Sequence, residues 1–162
     1  MSSNLQRVDH SALKTNQAFI ILFLVIGFVA IQPWLVVFTA AVMLLGTAFG
    51  QPGFGILYRR VLKPLKLVKP DVLLDHPEPH RFAQGLGGVF LVGGAAALFG
   101  GVGLLGWALV WVVIGLAALN LFAGFCTGCA VYYWLNRLHV PGFIQAPPEG
   151  TFPGTRSHQR AL

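Results

Sequence analysis

Gln32-Pro33 interrupts an apolar stretch that otherwise runs from Gln17 to Phe49, and this break most constrains the fold. A proline ends a helix at the residue before it, so two helices joined by a tight turn are expected over 17–31 and 33–49. Eleven residues from Phe19 to Ile31 are Leu, Ile, Val or Phe. At roughly −0.3 to −0.6 kcal/mol each, they favour membrane insertion by about 5 kcal/mol. Two further apolar runs, 82–103 and 104–125, have the roughly 20-residue length of a bilayer-spanning helix.

Composition agrees with the bilayer as solvent. Of 162 residues, 56% are hydrophobic and only 10% charged, against about 25% charged in an ordinary soluble domain. The expected fold is all-α, a four-transmembrane-helix bundle made of two helical hairpins. It occupies residues 1–138, and 139–162 read as a flexible tail rich in Pro, Gly and polar residues.

Charge placement sets the orientation. Arg7 and Lys14 precede or open the first run. Arg59, Arg60, Lys63, Lys66, Lys69 and Arg81 lie between the second and third, and Arg137, Arg156 and Arg160 follow the fourth. The two short connections carry no Lys or Arg. With four spans, every basic residue falls on one side, which the positive-inside rule makes cytoplasmic, together with both termini. The expected location is a cell membrane, with the basic end on its cytoplasmic side. The net charge of +6 is then a property of the lipid-facing inner surface and not a signature of nucleic-acid binding.

Glycines in the third run, such as Gly93, Ala97 and Gly101, fall on one helical face and predict close helix packing. Asn120 lies inside the fourth run, where an unpaired amide is costly; a bond to a neighbouring helix or a ligand role would satisfy it. Asp9-His10 and Asp75-His76 form a faint internal echo before the two hairpins.

The chemistry-bearing feature is FCTGC, Phe125 to Cys129, which holds the only two cysteines of the chain. Two residues between cysteines suit redox chemistry or metal binding. A helix running straight through the pair would put both thiols near its C-terminus, where the dipole disfavours thiolate. A helix ending near Gly124, with a new one starting near Cys129, would put them at an N-terminus, where thiolate is favoured. The inner-side residues His10, His76, His80 and Arg81 are candidate ligand or substrate groups. A zinc site from Cys126, Cys129, His76 and His80 is a further option. In a reducing cytosol a permanent disulfide is not expected, and simple packing of two small, soft side chains stays open.

Three segments carry a resemblance: VDHSALKTNQA from Val8, PHRFAQG from Pro79 and GFCTGC from Gly124. In this order they resemble the signature of a bacterial integral-membrane family that is a domain of unknown function, over about Val8 to Leu138. The resemblance implies a small four-helix membrane protein, sometimes encoded beside thioredoxin-like proteins or sulfurtransferases. It implies a thiol or sulfane-sulfur connection and transfers no catalytic assignment. Three functions follow as expectations. The first is a thiol-redox or sulfur-relay protein acting through Cys126 and Cys129 with a thioredoxin-like or sulfurtransferase partner. The second is a homo-oligomeric transporter or channel for a small solute, and the third is an accessory subunit of a larger membrane complex. No cofactor is specified by the residues.

Overall fold

The computed structural model describes residues 6–64, 71–147 and 150–155. Strand β1 (Gln6–Asp9) leads into α1 (His10–Val29) and α2 (Pro33–Ala48). A short helix α3 (Gly55–Leu57) continues as a π-helical turn over Tyr58–Leu62. Strand β2 (Val72–Asp75) precedes α4 (Pro77–Phe99) and α5 (Gly103–Ala118). A π-helical turn over Leu119–Ala123 prolongs α5, and α6 (Thr127–Arg137) follows. Lys66, Lys69, Arg156 and Arg160, which the charge argument used, lie outside the described residues.

Capping chemistry explains where these helices begin. Asp9 is the N-cap of α1, its carboxylate accepting from the backbone N–H of Ser11 at 3.0 Å. Pro33 and Pro77 open α2 and α4, where a missing N–H costs nothing. Helix α1 therefore starts at His10 rather than Gln17, and α4 at Pro77 rather than Phe82. Hydropathy missed these first turns because their polar residues point into protein: His10, Ser11, Thr15 and Asn16 are buried.

The helix ends share one solution. After α1, Gln32 N–H donates to Gly27 O at 2.8 Å and Ile31 N–H to Phe28 O at 3.2 Å. The same paired bonds close α2 around Gly50 and α4 around Gly101, both at positive φ, and α6 around His139. This is the Schellman arrangement. It satisfies carbonyls at sharp turns without polar side chains, which suits helix ends in an apolar setting.

Helices α1, α2, α4 and α5 pack as a ring, with α1 against α2 and α5 and with α4 against the same two. Ile20, Leu24, Val36, Leu91, Val110 and Val113 fill its centre. Helices α4 and α5 approach closely where Gly94 meets Gly106. A Cβ on Gly94 would lie 3.2 Å from the Gly106 carbonyl oxygen. The packing face of α4 is thus Gly88, Leu91, Gly94 and Ala95. Gly93 is exposed, so the expected Gly93–Ala97–Gly101 stripe is offset by one residue from the face that packs.

The outside of the ring is apolar too. Leu22, Phe38, Leu45, Val92, Leu105, Trp111 and Val112 are all exposed, and helices hydrophobic on every side are solvated by lipid. Three helices, His10–Val29, Pro77–Phe99 and Gly103–Ala123, are long and apolar enough to cross a bilayer. Helix α2, with 16 residues, covers about 24 Å at 1.5 Å per residue, short of the roughly 30 Å hydrocarbon core.

Outside the ring, β1 and β2 pair antiparallel, with Gln6 opposite Asp75 and Asp9 opposite Val72. Both Asp-His dipeptides therefore sit at strand-to-helix junctions of one two-stranded ribbon. Residues 139–147 and 150–155 of the tail fold back onto the protein: Phe143 contacts Phe82 and Tyr132.

Candidate functional site

Gly124, at φ 65° and ψ 20°, stops α5 and turns the chain. Phe125 then makes a bridge with Thr155, and Cys126 N–H donates to Gly154 O at 2.8 Å. Cys126 is extended and is the N-cap of α6. Its sulfur takes the role of a capping oxygen, accepting from the backbone N–H of Cys129 at 3.2 Å. Of the two geometries open from sequence, the structure has the one with the cysteines at a helix N-terminus. The pair is joined as a disulfide, with Cα atoms 5.2 Å apart, inside the span such a bond requires.

Helix α6 is fastened to α4 by close backbone approach. A Cβ on Gly128 would fall 2.5 Å from Ala83 Cβ and 2.7 Å from its Cα. Phe82, Tyr132 and Phe143 form an aromatic cluster beside this contact. The contact brings Cys129, on the first turn of α6, against His80, on the first turn of α4.

A relay of polar groups follows. Cys129 Sγ lies 3.4 Å from His80 Nδ1. The other ring nitrogen of His80 is 3.1 Å from Asp75 Oδ2. The same oxygen is 3.3 Å from His10 Nε2, and Asp75 Oδ1 accepts the His76 backbone N–H at 2.8 Å. Burial pushes the Asp75 carboxyl up, but His10, His80 and that N–H outweigh it and hold the group well below the usual carboxylate range. Burial, then the negative charge of Asp75, pushes the Tyr133 phenol above its ordinary range. A buried, ionised aspartate thus orients an imidazole that touches sulfur.

A second polar knot holds the neighbouring turns. Asn16 Oδ1 accepts from Phe54 N–H at 2.8 Å, while its amide donates to Gln84 Oε1 at 3.1 Å. Tyr58 donates to Asp9 Oδ2 at 2.9 Å. Burial first and then Asp9 push its phenol up to about 12.

The sequence-predicted residues divide. His10 and His80 converge on Asp75, and His80 reaches Cys129. Although adjacent in sequence, His76 does not join them: its ring is buried, and neither nitrogen has a hydrogen-bond partner among the described residues. Arg81 turns to α2, donating to the Thr47 carbonyl at 3.0 Å with its guanidinium against Gly50. It lines a cavity of about 370 Å³ that also meets Arg7, Arg59, Lys63 and His80. Asn120 makes no hydrogen bond to a neighbouring helix among the described residues, and instead lines two cavities with Cys126. Of the other site residues, Asp75 lies in the candidate loop before the third run but had no role of its own in the sequence reading, and Gly154 was not selected. The repeated Asp-His dipeptide was the available signal for the first; Gly154 had none.

Two triads have ligand atoms within 4.8 Å of one another: His80, Cys126 and Cys129, and His10, Asp75 and His80. The first could hold a soft divalent metal only after the disulfide is reduced, since thiolates are the ligands. His76 belongs to neither, so the four-residue zinc set drawn from sequence is not assembled.

Helices long and apolar enough to cross a bilayer indicate a membrane protein, with a cysteine pair beside a His-Asp cluster at one end. The family model for a domain of unknown function (DUF4395) matches residues 8–137. The chain belongs to that family. No curated protein and no solved structure matches it.

Proposed function

We propose that this protein carries out thiol–disulfide exchange at the cytoplasmic face of a bacterial inner membrane. Helices α1, α2, α4 and α5 cross the bilayer as two hairpins, local thinning accommodating the short α2. In support of the orientation, Arg7, Lys14, Arg59, Arg60, Lys63, Arg81 and Arg137 all belong to one end of the ring, and the turns at Gln32 and Gly101 carry no Lys or Arg. Helix α6, with Trp134 exposed and Tyr132 and Tyr133 buried, lies at the interface.

The observation that carries the reading is the pairing of roles. Cys126 Sγ receives an N–H at the start of α6, while Cys129 Sγ faces the His80 imidazole. A thiolate from a soluble dithiol partner attacks Cys126 Sγ and forms a mixed disulfide. The Cys126–Cys129 bond breaks, and Cys129 leaves as a thiolate that takes a proton from His80 Nδ1; Asp75 stabilises the imidazolium before this transfer, and the proton released by the partner's thiol restores it afterwards. The partner's second thiolate then attacks the partner sulfur and releases Cys126 as a thiolate, which the α6 N-terminus favours. The partner leaves as a disulfide and the protein as a dithiol, so two electrons are conserved. A thioredoxin-like protein or a sulfurtransferase fits the soluble role.

Equilibration of the purified protein with glutathione buffers, followed by maleimide labelling and mass measurement, tests this. A single two-electron transition is expected, and Cys129→Ser should retain a glutathione adduct on Cys126. A pair that neither reduces nor reoxidises would refute the proposal. Membrane-impermeant maleimide on intact cells and inverted vesicles checks the side; labelling from outside alone would overturn the orientation.

A further inference from the structure

Cys126 borders an apolar groove as well as the polar relay. A cavity of about 140 Å³ lies between α1, α4, α5 and the start of α6. Leu86, Phe90 and Leu116 line it and belong to the exposed apolar exterior, so its mouth opens where acyl chains would lie. Its other end is polar, lined by Gln17, Asn120 and Cys126. The same three residues line a smaller cavity of about 30 Å³ that reaches His10 and His80. Cys126 thus stands between a membrane-facing groove and the histidine relay, and Cys129 lines neither cavity.

Two amides on the groove wall are open to a ligand. Gln17 and Asn120 are half-buried, and neither side chain has a hydrogen-bond partner among the described residues. An amide beside apolar groove walls is costly unless a ligand accepts its N–H. The occupant must therefore be lipophilic enough to enter from the bilayer and carry acceptors at its head. To use the sulfur beside those amides, it must also exchange two electrons with a dithiol. A phospholipid meets the first two conditions and not the third. A membrane quinone meets all three, with an isoprenoid tail, two ring carbonyls and a two-electron, two-proton couple.

We infer that the groove binds a membrane quinone, which reoxidises the Cys126–Cys129 dithiol. This rests on the thiol-exchange reading above and supplies its electron acceptor. The Cys126 thiolate adds to an electrophilic ring carbon, forming a C–S bond while the ring carbonyl becomes an enolate. Cys129 thiolate then attacks Cys126 Sγ. The C–S bond breaks, its electron pair passes into the ring, and the disulfide forms. The ring takes up two protons, matching the two lost by the thiols, so dithiol and quinone become disulfide and quinol. Gln17 and Asn120 hold the carbonyls, and His80 removes the Cys129 proton.

The test uses the full-length protein in detergent, reduced and freed of reductant, with decylubiquinone as membrane oxidant and oxidised glutathione as aqueous oxidant. Ultraviolet absorbance follows quinol formation, and maleimide mass shifts follow the thiols. The expected result is quinol formed in equal amount to the disulfide and none with Cys126→Ser. Asn120→Leu should lower the ratio of quinone rate to glutathione rate by about five- to tenfold, the worth of one hydrogen bond. Gln17→Leu should lower the same ratio, and serves where the first variant folds poorly. A variant that only disturbs the fold slows both oxidants and leaves the ratio unchanged, and an unchanged ratio in both variants overturns the site. A wild-type dithiol oxidised by glutathione but not by the quinone overturns the inference and leaves thiol exchange standing. Inertness to both oxidants overturns the two readings together.

Discussion

Cys129→Ser leaves Cys126 as the only thiol while keeping the backbone N–H that points at its sulfur. That N–H lies 3.2 Å from Sγ in the oxidised pair and is free of the helix ladder, because Cys129 is in the first turn of α6. A hydrogen bond to a charged acceptor contributes about 1.5–3 kcal/mol. The N-terminal dipole of an 11-residue helix adds about 0.3–1 kcal/mol. Against these stands desolvation, since Cys126 is only 6% exposed. The exchange chemistry requires the first two to outweigh the third, so iodoacetamide alkylation of the variant should keep its full rate to a pH well below the roughly 8.5 midpoint of a free cysteine. The assay is the alkylation rate against pH, read by mass on the intact protein, with the unfolded chain in denaturant as reference. A folded-state midpoint at or above the unfolded one would show that the α6 N-terminus does not activate this sulfur, and the exchange chemistry would lose its nucleophile.

Two further perturbations probe the supports of the site. Asp75→Asn removes the charge that His10 and His80 share, and should cost about 2–4 kcal/mol in a detergent-denaturation titration. Because the Asp75 carboxyl is held below its ordinary range in the folded protein, its stabilisation is fully present above the unfolded-state pKa and lost as pH falls through the folded one. The stability gap between wild type and Asn variant should therefore narrow below about pH 4, and a gap that widens there would contradict the assignment. Gly128→Val places a side chain where Ala83 Cα is 2.7 Å away. It should cost about 1–3 kcal/mol and lift α6 from α4, changing the glutathione equilibrium of the pair; an unaltered equilibrium would mean that the close approach does not position Cys129.

Much of the helical plan is legible in hydropathy because lipid-facing and core-facing positions are both apolar. The Pro33 break is found where the pattern puts it, and the break drawn between Gly103 and Leu104 falls two residues earlier, at Gly101. The first turns of α1 and α4 are not, because polar residues buried by protein contacts have the same hydropathy as exposed ones. The offset of the α4 packing face has a similar cause: glycine is abundant on both sides of that helix, and composition does not say which stripe meets Gly106. The cysteines, His10 and His80 could be selected as types, whereas their order in space could not. Asp75 joins two histidines 65 and 5 residues away in sequence, and only the β1–β2 pairing and the α4–α6 contact bring them together.

The direction in which a CxxC works is set by backbone geometry more than by the motif. In this chain one residue, Gly124 in the left-handed region, decides it. Had α5 continued through the pair, both sulfurs would have met the carbonyl end of a helix, with no N–H to receive and no reason to ionise. The turn at Gly124 instead reverses the dipole that the pair experiences, and lets Cys126 cap the next helix. It also separates the two sulfurs functionally, giving Cys126 the cavities and Cys129 the imidazole. An attacking or receiving sulfur and a proton-managed leaving sulfur are the division of labour that disulfide exchange requires. The same turn sets Cys126 at the edge of the apolar ring, where the proposed soluble dithiol and lipid-borne acceptor would both meet it. A soluble oxidoreductase has no use for that second face, and Gln17 and Asn120 line it without hydrogen-bond partners among the described residues.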